Sequence, residues 1–260
     1  MSKRGQITIF IIIGIIFLVF ILLFSWLRFS TLKETFTAQK PEVSFNAPVS
    51  NYIQSCLDKT AEEAVIFIAE HGGYYELPDL ADLKFNLPYY LYEGRNNMLS
   101  QTEVEEQLSN YINNELPFCL QNFIVFKDSY EIKAGKIRTE SKLISEKIIF
   151  NLNFPVTVRQ GEQEVAIAEF SAEIPVRLKE MRDIIEGYLK MEEIRPDAVC
   201  ISCILNLAIN NNLKAEMFFV RAGEMLFILI DENHKINNAN YEFSFMNKYH
   251  FEIPEGRTNE

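Results

Sequence analysis

The chain has 260 residues, 48% of them hydrophobic and 13% aromatic, with 25 basic against 36 acidic side chains and a net charge of −11. That apolar content, with only 10 Gly and 9 Pro, supports a packed core and excludes a disordered or fibrous chain. Within the first forty residues Lys3, Arg4, Arg28, Lys33 and Lys40 face Glu34 alone, so the acidic excess lies beyond them; so negative a domain repels phosphate backbones and anionic headgroups, which argues against nucleic acid or a flat lipid surface as partner.

Residues 7–27, opening on Ile7 and closing on Leu27, form an apolar run interrupted only by Thr8, Gly14 and Ser25. About 20 apolar residues in a helix cross a hydrocarbon core about 30 Å thick. The run therefore reads as a single transmembrane helix, with Trp26 as interfacial aromatic and Arg28 as basic stop. Lys3, Arg4 and the α-amine on one side nearly balance Arg28, Lys33 and Lys40 on the other, so charge alone does not orient it. A secretory signal is cut after its apolar region at an A-x-A-like site, and Ser25-Trp26-Leu27 is too bulky for one. The small residue Gly5 lies instead before the run, directly behind Lys3 and Arg4.

That arrangement resembles the class III signals of archaeal and bacterial type IV pilin-like proteins. The resemblance covers about the first 30 residues. It implies cleavage by a prepilin peptidase on the cytoplasmic side: Lys3 and Arg4 the charged stub, Gly5 the residue before the cut, Gln6 the new N-terminus. The apolar helix would stay on the mature chain. The fifth mature residue would be Phe10, where bacterial pilins usually carry Glu; archaeal members often lack it. The string Gly5-Gln6-Ile7-Thr8-Ile9-Phe10 also resembles N-termini of uncharacterised proteins from small archaea related to the nanoarchaea. The alternative is an uncleaved signal anchor.

Beyond the run, residues 28–48 read as a helix extension, stopped at Pro41, and a linker. Residues 49–260 then form one soluble domain. Ile53, Leu57, Ala61, Ala64 and Ile68 fall on one helical stripe, which Gly72-Gly73 ends with left-handed backbone. Tyr74 to Tyr92 is aromatic and proline-punctuated, more loop and short strand than helix. Ser100 and Glu103 form a capping box, opening a helix through Val104, Leu108, Ile112 and Leu116 until Pro117.

From Phe123 to Val176 the period is two: Phe150, Leu152, Phe154, Val156 and Val158 alternate, as do Val165 and Ile167 beyond a turn at Gly161. Pro155 marks a bulge or an edge strand. Leu178, Met181, Ile185 and Leu189 restore helical spacing, and a further helix opens at Pro196 and fades at Asn210. Met217 to Val220 and Glu224 to Ile230 read as a hairpin across Gly223, with a last strand from Tyr241 to Phe245. Helices and strands fall in separate groups, which predicts an α+β fold with an antiparallel sheet and several helices.

Four cysteines allow three disulfide connectivities. Cys56 and Cys119 flank the same two-helix unit and Cys200 and Cys203 form a local C-x-x-C, which favours pairing within each set. Two sharper readings of the C-x-x-C compete. A dithiol at a helix N-terminus suits redox chemistry, although here a helix rather than a strand precedes it. A four-cysteine zinc site would need a second close pair, and Cys56 and Cys119 stand alone.

No H-E-x-x-H, G-x-S-x-G or P-loop is present, His71, His234 and His250 are scattered, and no cofactor is implied. Glu62-Glu63, Glu105-Glu106 and Glu192-Glu193 read as solvated helix faces. The candidate binding cluster is aromatic: Tyr74, Tyr75, Tyr89, Tyr90 and Tyr92, with Arg95 close by. The expectation is a non-catalytic, single-pass protein of the cell membrane with its domain outside. Its partners would be the membrane, through Ile7 to Leu27, and other surface or pilus-system proteins. The domain's size favours a minor or pseudopilin-like role over a bulk filament subunit. A tethered binding module or assembly factor, or a thiol–disulfide oxidoreductase, are the alternatives.

Overall fold

The computed structural model of the chain describes residues 45–194 and 198–249. The basic stub with Lys3, Arg4, Gly5 and Gln6, the apolar run and Pro196 lie outside them. No helix among the described residues is long and apolar enough to cross a membrane.

Among the described residues, four α-helices and ten strands make a mixed α+β fold. Helix α1, Ala47–Glu70, begins inside the segment read as linker, because Pro48 falls in its first turn, where no N–H is required. Its expected stripe is buried without exception, joined by Val49, Cys56, Val65 and Ala69. It ends at Gly72 and Gly73, both left-handed. A Cβ on Gly72 would stand 2.6 Å from Pro88 Cγ, so only glycine fits there.

Three short strands follow, β1 Ala81–Asp82, β2 Leu87–Tyr92 and β3 Arg95–Asn96. Helix α2, Gln101–Leu120, carries the expected capping box, with the Ser100 amide donating to Glu103 at 2.6 Å and the Glu103 amide to Ser100 Oγ at 3.3 Å. Pro117 does not end it. The helix runs one more turn, held by buried Leu116 and Leu120, by the Cys56–Cys119 disulfide, and by the Tyr52 hydroxyl donating to the Cys119 carbonyl at 2.9 Å.

The strand expected from Phe123 is absent. Gln121–Phe126 is a 3-10 turn instead, in which Gln121, Asn122 and Phe123 are all left-handed. Burial of Phe123, stacked on Phe154, holds that unfavourable backbone in place.

The second sheet is built on β6, Lys147–Gln160, whose alternate residues are buried from Ile148 to Val158. β7, Gln163–Ile174, pairs along its length, and the register slips between Asn153 and Val156, so Pro155 sits in a bulge. β4, Glu131–Ala134, and β5, Arg138–Ile144, pair with successive stretches of β6. Helix α3, Leu178–Ile194, helix α4, Ile201–Asn210, and strands β8 Lys214–Arg221, β9 Glu224–Ile236 and β10 Ala239–Lys248 complete the chain. β8, β9 and β10 form two consecutive hairpins, the second turning on left-handed Asn237 and Asn238.

The first sheet runs β1-β2-β10-β9-β8, with β3 on β2. All its pairs are antiparallel except β2 with β10, which is parallel. The ladder slips there between Met246 and Asn247, and the buried Asn247 side chain accepts the Leu91 amide at 3.0 Å, replacing the missing backbone carbonyl. The two sheets share no ladder; α1 touches both, through β10 and β7.

Buried Asp231 on β9 pairs with Arg177 at 2.7 Å and accepts the Asn233 amide at 3.0 Å. Burial alone would raise its pKa, but the Arg177 hydrogen bond, the Asn233 amide and the neighbouring positive charge hold it below the ordinary carboxylate range. A depressed folded pKa means that the pair's contribution is full above pH about 4 and is lost as pH falls through the folded value. Asp231→Asn should therefore cost about 3–5 kcal/mol at neutral pH by leaving the Arg177 charge without its carboxylate partner. In melts against pH the deficit should shrink on acidification. Closing 63 residues, Cys56–Cys119 should contribute about 4 kcal/mol in the chain-entropy model, measured as the lower denaturant midpoint of the Cys56→Ala, Cys119→Ala double variant.

Candidate functional site

The candidate tyrosines do not converge. Tyr90 is fully buried, stacked on Phe245 at 5.0 Å, with its hydroxyl donating to the Gly72 carbonyl at 2.8 Å. Tyr89 is also buried; its hydroxyl meets Asp82 at 3.4 Å, and burial beside Glu224 pushes its pKa up to about 12. Tyr92 lies edge-on to Tyr89 at 5.6 Å beneath the Lys248 ammonium. Tyr75 packs elsewhere, against Phe67 and Tyr111, and donates to Glu115 at 2.8 Å. Tyr74 is half-buried and Arg95 exposed. Alternation along β2 sends Tyr89 and Tyr90 to opposite sides of the sheet, so of these rings only Tyr89 and Tyr92 meet.

The strongest exposed signal is α4. It reads Ile-Ser-Cys-Ile-Leu-Asn-Leu-Ala-Ile-Asn, apolar apart from the stripe of Ser202, Asn206 and Asn210, and so broad an apolar face is ordinarily enclosed. Here only Ile204 and Ala208 are buried. Ile201 and Ile209 remain 49% and 66% exposed. The elements that α4 touches are similarly uncovered: Ile194 at the end of α3 is 79% exposed and Phe219 on β8 is 68% exposed. β8 is also the outer strand of its sheet. Exposed apolar side chains beside an open strand edge are features of a surface that meets another protein.

The helix is fixed at both ends. Cys200 is its N-cap and supplies no side-chain cap; Glu192 of α3 does so, with Oε1 accepting the Cys200 amide at 2.8 Å. Glu192 is 1% exposed, so the Glu192-Glu193 pair is not a solvated face: only Glu193 is exposed, while Glu192 turns in toward α4. Its Oε2 faces the hydroxyls of Tyr188 and Tyr249 but meets neither in ordinary hydrogen-bond geometry. Those hydroxyls lie 3.0 Å apart, and Asn247 donates to Tyr249 at 3.0 Å. Burial raises the Glu192 pKa, against the opposing effect of the Cys200 amide and the two hydroxyls. At the other end of α4, the Arg177 guanidinium donates to the carbonyls of Asn211 at 3.0 Å and Asn212 at 3.2 Å.

Between the end of α3 and the start of α4 lies an open groove of about 760 Å³, lined by Met191, Glu192, Ile194, Val199 and Leu205 with the Cys200–Cys203 disulfide. Both sulfur-bearing residues are half-buried. The four cysteines therefore stand as two separate pairs, Cys56–Cys119 and Cys200–Cys203, rather than one sulfur set. The helix opening expected at Pro196 begins at Ile201.

The histidines have local roles. His71 stacks on Phe67 at 3.9 Å and its Nδ1 lies 2.8 Å from the Phe67 carbonyl, while His234 lies 2.9 Å from Asp231; His250 is outside the described residues. Sequence reasoning located Cys200 and Cys203 but missed Glu192 and the bare face. The apolar composition of α4 was the available signal. No protein-family model, curated protein or solved structure matches the chain.

A raised folded pKa means that Glu192 costs nothing at pH below about 4 and becomes destabilising as pH rises from there through the folded value. Glu192→Gln keeps an acceptor for the Cys200 amide and removes the charge. The variant should match the wild type in acid and gain on it as pH rises, read from thermal melts between pH about 4 and 8.

Proposed function

We propose that this is a membrane-anchored, extracytoplasmic interaction protein of pilin-like biogenesis, with a minor or pseudopilin-like role. Its folded domain acts by binding rather than turnover, and its partners are surface or pilus-system proteins. The membrane is reached through Ile7 to Leu27, after processing at Gly5 and Gln6 behind Lys3 and Arg4. The observation that carries the binding reading is α4, whose broad apolar face has only Ile204 and Ala208 buried. The two disulfides support an oxidising location, outside the cytoplasm. The acidic excess supports solubility of a domain that exposes so much apolar surface.

Intact mass spectrometry of the membrane-purified chain tests the location. The expected species begins at Gln6 and carries two disulfides. A chain that retains Met1 to Gly5 and four free thiols would overturn both the processing and the compartment. Binding is tested by Ile209→Asp and Phe219→Asp, both at exposed positions. Each should remove cross-links between the full-length chain and its neighbours in the membrane while changing stability by less than about 0.5 kcal/mol.

A further inference from the structure

We propose that Cys200–Cys203 is an exchangeable disulfide, which accepts thiols from an apolar, cysteine-bearing protein segment seated in the groove beside it. The inference rests on reading α4 as the interaction face and names the chemistry of what that face receives.

The two disulfides differ in what they hold. Cys56 is buried on α1, and its bond to Cys119 ties together elements 63 residues apart. Cys200–Cys203 spans three positions, closing the shortest of loops, so it constrains the unfolded chain least. Nor does α4 depend on it for position: Glu192 holds its first amide and Arg177 holds the carbonyls beyond its last turn. A covalent bond that adds so little to the fold, half-exposed and lining a groove with Met191, Ile194, Val199 and Leu205, is placed to react.

The helix terminus sets the direction of exchange. Cys200 stands at the N-cap, while Cys203 lies in the first turn, where the positive end of the helix dipole favours a thiolate. A partner thiolate attacks Cys200 Sγ. The Cys200–Cys203 bond breaks, a partner–Cys200 disulfide forms, and Cys203 leaves as the thiolate. A second partner thiol, having given its proton to water, attacks the partner sulfur of that mixed disulfide and releases Cys200. The partner departs with its own disulfide, oxidised by two electrons, and Cys200 and Cys203 take up two protons as thiols. A partner with one thiol stays bound to Cys200. Each chain oxidises one partner, a stoichiometric exchange consistent with a binding protein.

The test uses the oxidised full-length chain in detergent. Its probes are a reduced synthetic peptide with two cysteines among leucines and isoleucines, a polar peptide of the same cysteine spacing, and an apolar peptide with one cysteine. Alkylation of the protein is followed by peptide mapping. The apolar dithiol should become oxidised as Cys200 and Cys203 thiols appear in equal amount, with Cys56–Cys119 intact. Its rate should exceed that of the polar peptide by about tenfold or more. The single-cysteine peptide should be recovered on Cys200, and Ile201→Asp should reduce the apolar peptide to the polar peptide's rate.

A Cys200–Cys203 bond that survives all three peptides overturns the proposal, as does equal reaction with the polar and apolar dithiols. The two readings fail separately. Exchange that persists while Ile209→Asp and Phe219→Asp leave the membrane cross-links intact removes the binding face but not the exchange. Loss of the cross-links without exchange removes the exchange alone.

Discussion

Everything in the domain is arranged around one buried helix. α1 contributes a fully enclosed apolar stripe, and two sheets with no hydrogen bonds between their ladders are joined through it. Polar contacts fix the join: the Gln54 amide donates to the Ser171 carbonyl of β7 at 2.8 Å, and the Tyr241 hydroxyl of β10 to the Val65 carbonyl at 3.4 Å. Burial supplies most of the stabilisation, at about 25 cal/mol for each Å² of apolar surface removed from water. The Cys56–Cys119 bond adds to this by fastening α2 to the same helix.

At the far end of the sequence the priorities are reversed. α4 is as apolar as a core helix but buries only Ile204 and Ala208 fully, and polar groups at its termini add to what that burial holds. Such mounting keeps the helix rigid while freeing its sides. The buried Glu192 is the cost of that design, since its desolvation is only partly offset by the Cys200 amide and the hydroxyls facing it.

Where the sequence carried a strong local pattern, the fold was legible. The α1 stripe, the Ser100–Glu103 capping box, the alternation along β6, the Pro155 bulge and the Gly223 hairpin all follow from periodicity or from one residue's backbone chemistry. What was not legible depends on contacts between distant segments. Pro117 is tolerated because Cys119 and Leu120 are anchored to α1, and three left-handed residues at Gln121 are imposed by the burial of Phe123. The tyrosines misled in the same way: adjacent in sequence, they alternate across a strand whose parallel partner lies more than 150 residues away. At the site, the cysteine spacing was visible in the sequence, whereas the turn that sends Glu192 inward and leaves Glu193 outside was not.

The parallel pairing of β2 with β10 bears on how the protein is made. β2 lies between α1 and α2, and its inner neighbour is β10, the last strand among the described residues. Until Lys248 and Tyr249 leave the ribosome, the Leu91 amide lacks its Asn247 acceptor and Tyr90 lacks the Phe245 ring on which it stacks. The N-terminal half can gather α1 and α2 early, but the first sheet closes only after β10 has been made. Translation therefore passes through β9 with this long-range pairing still open, and it is β10 that completes the first sheet.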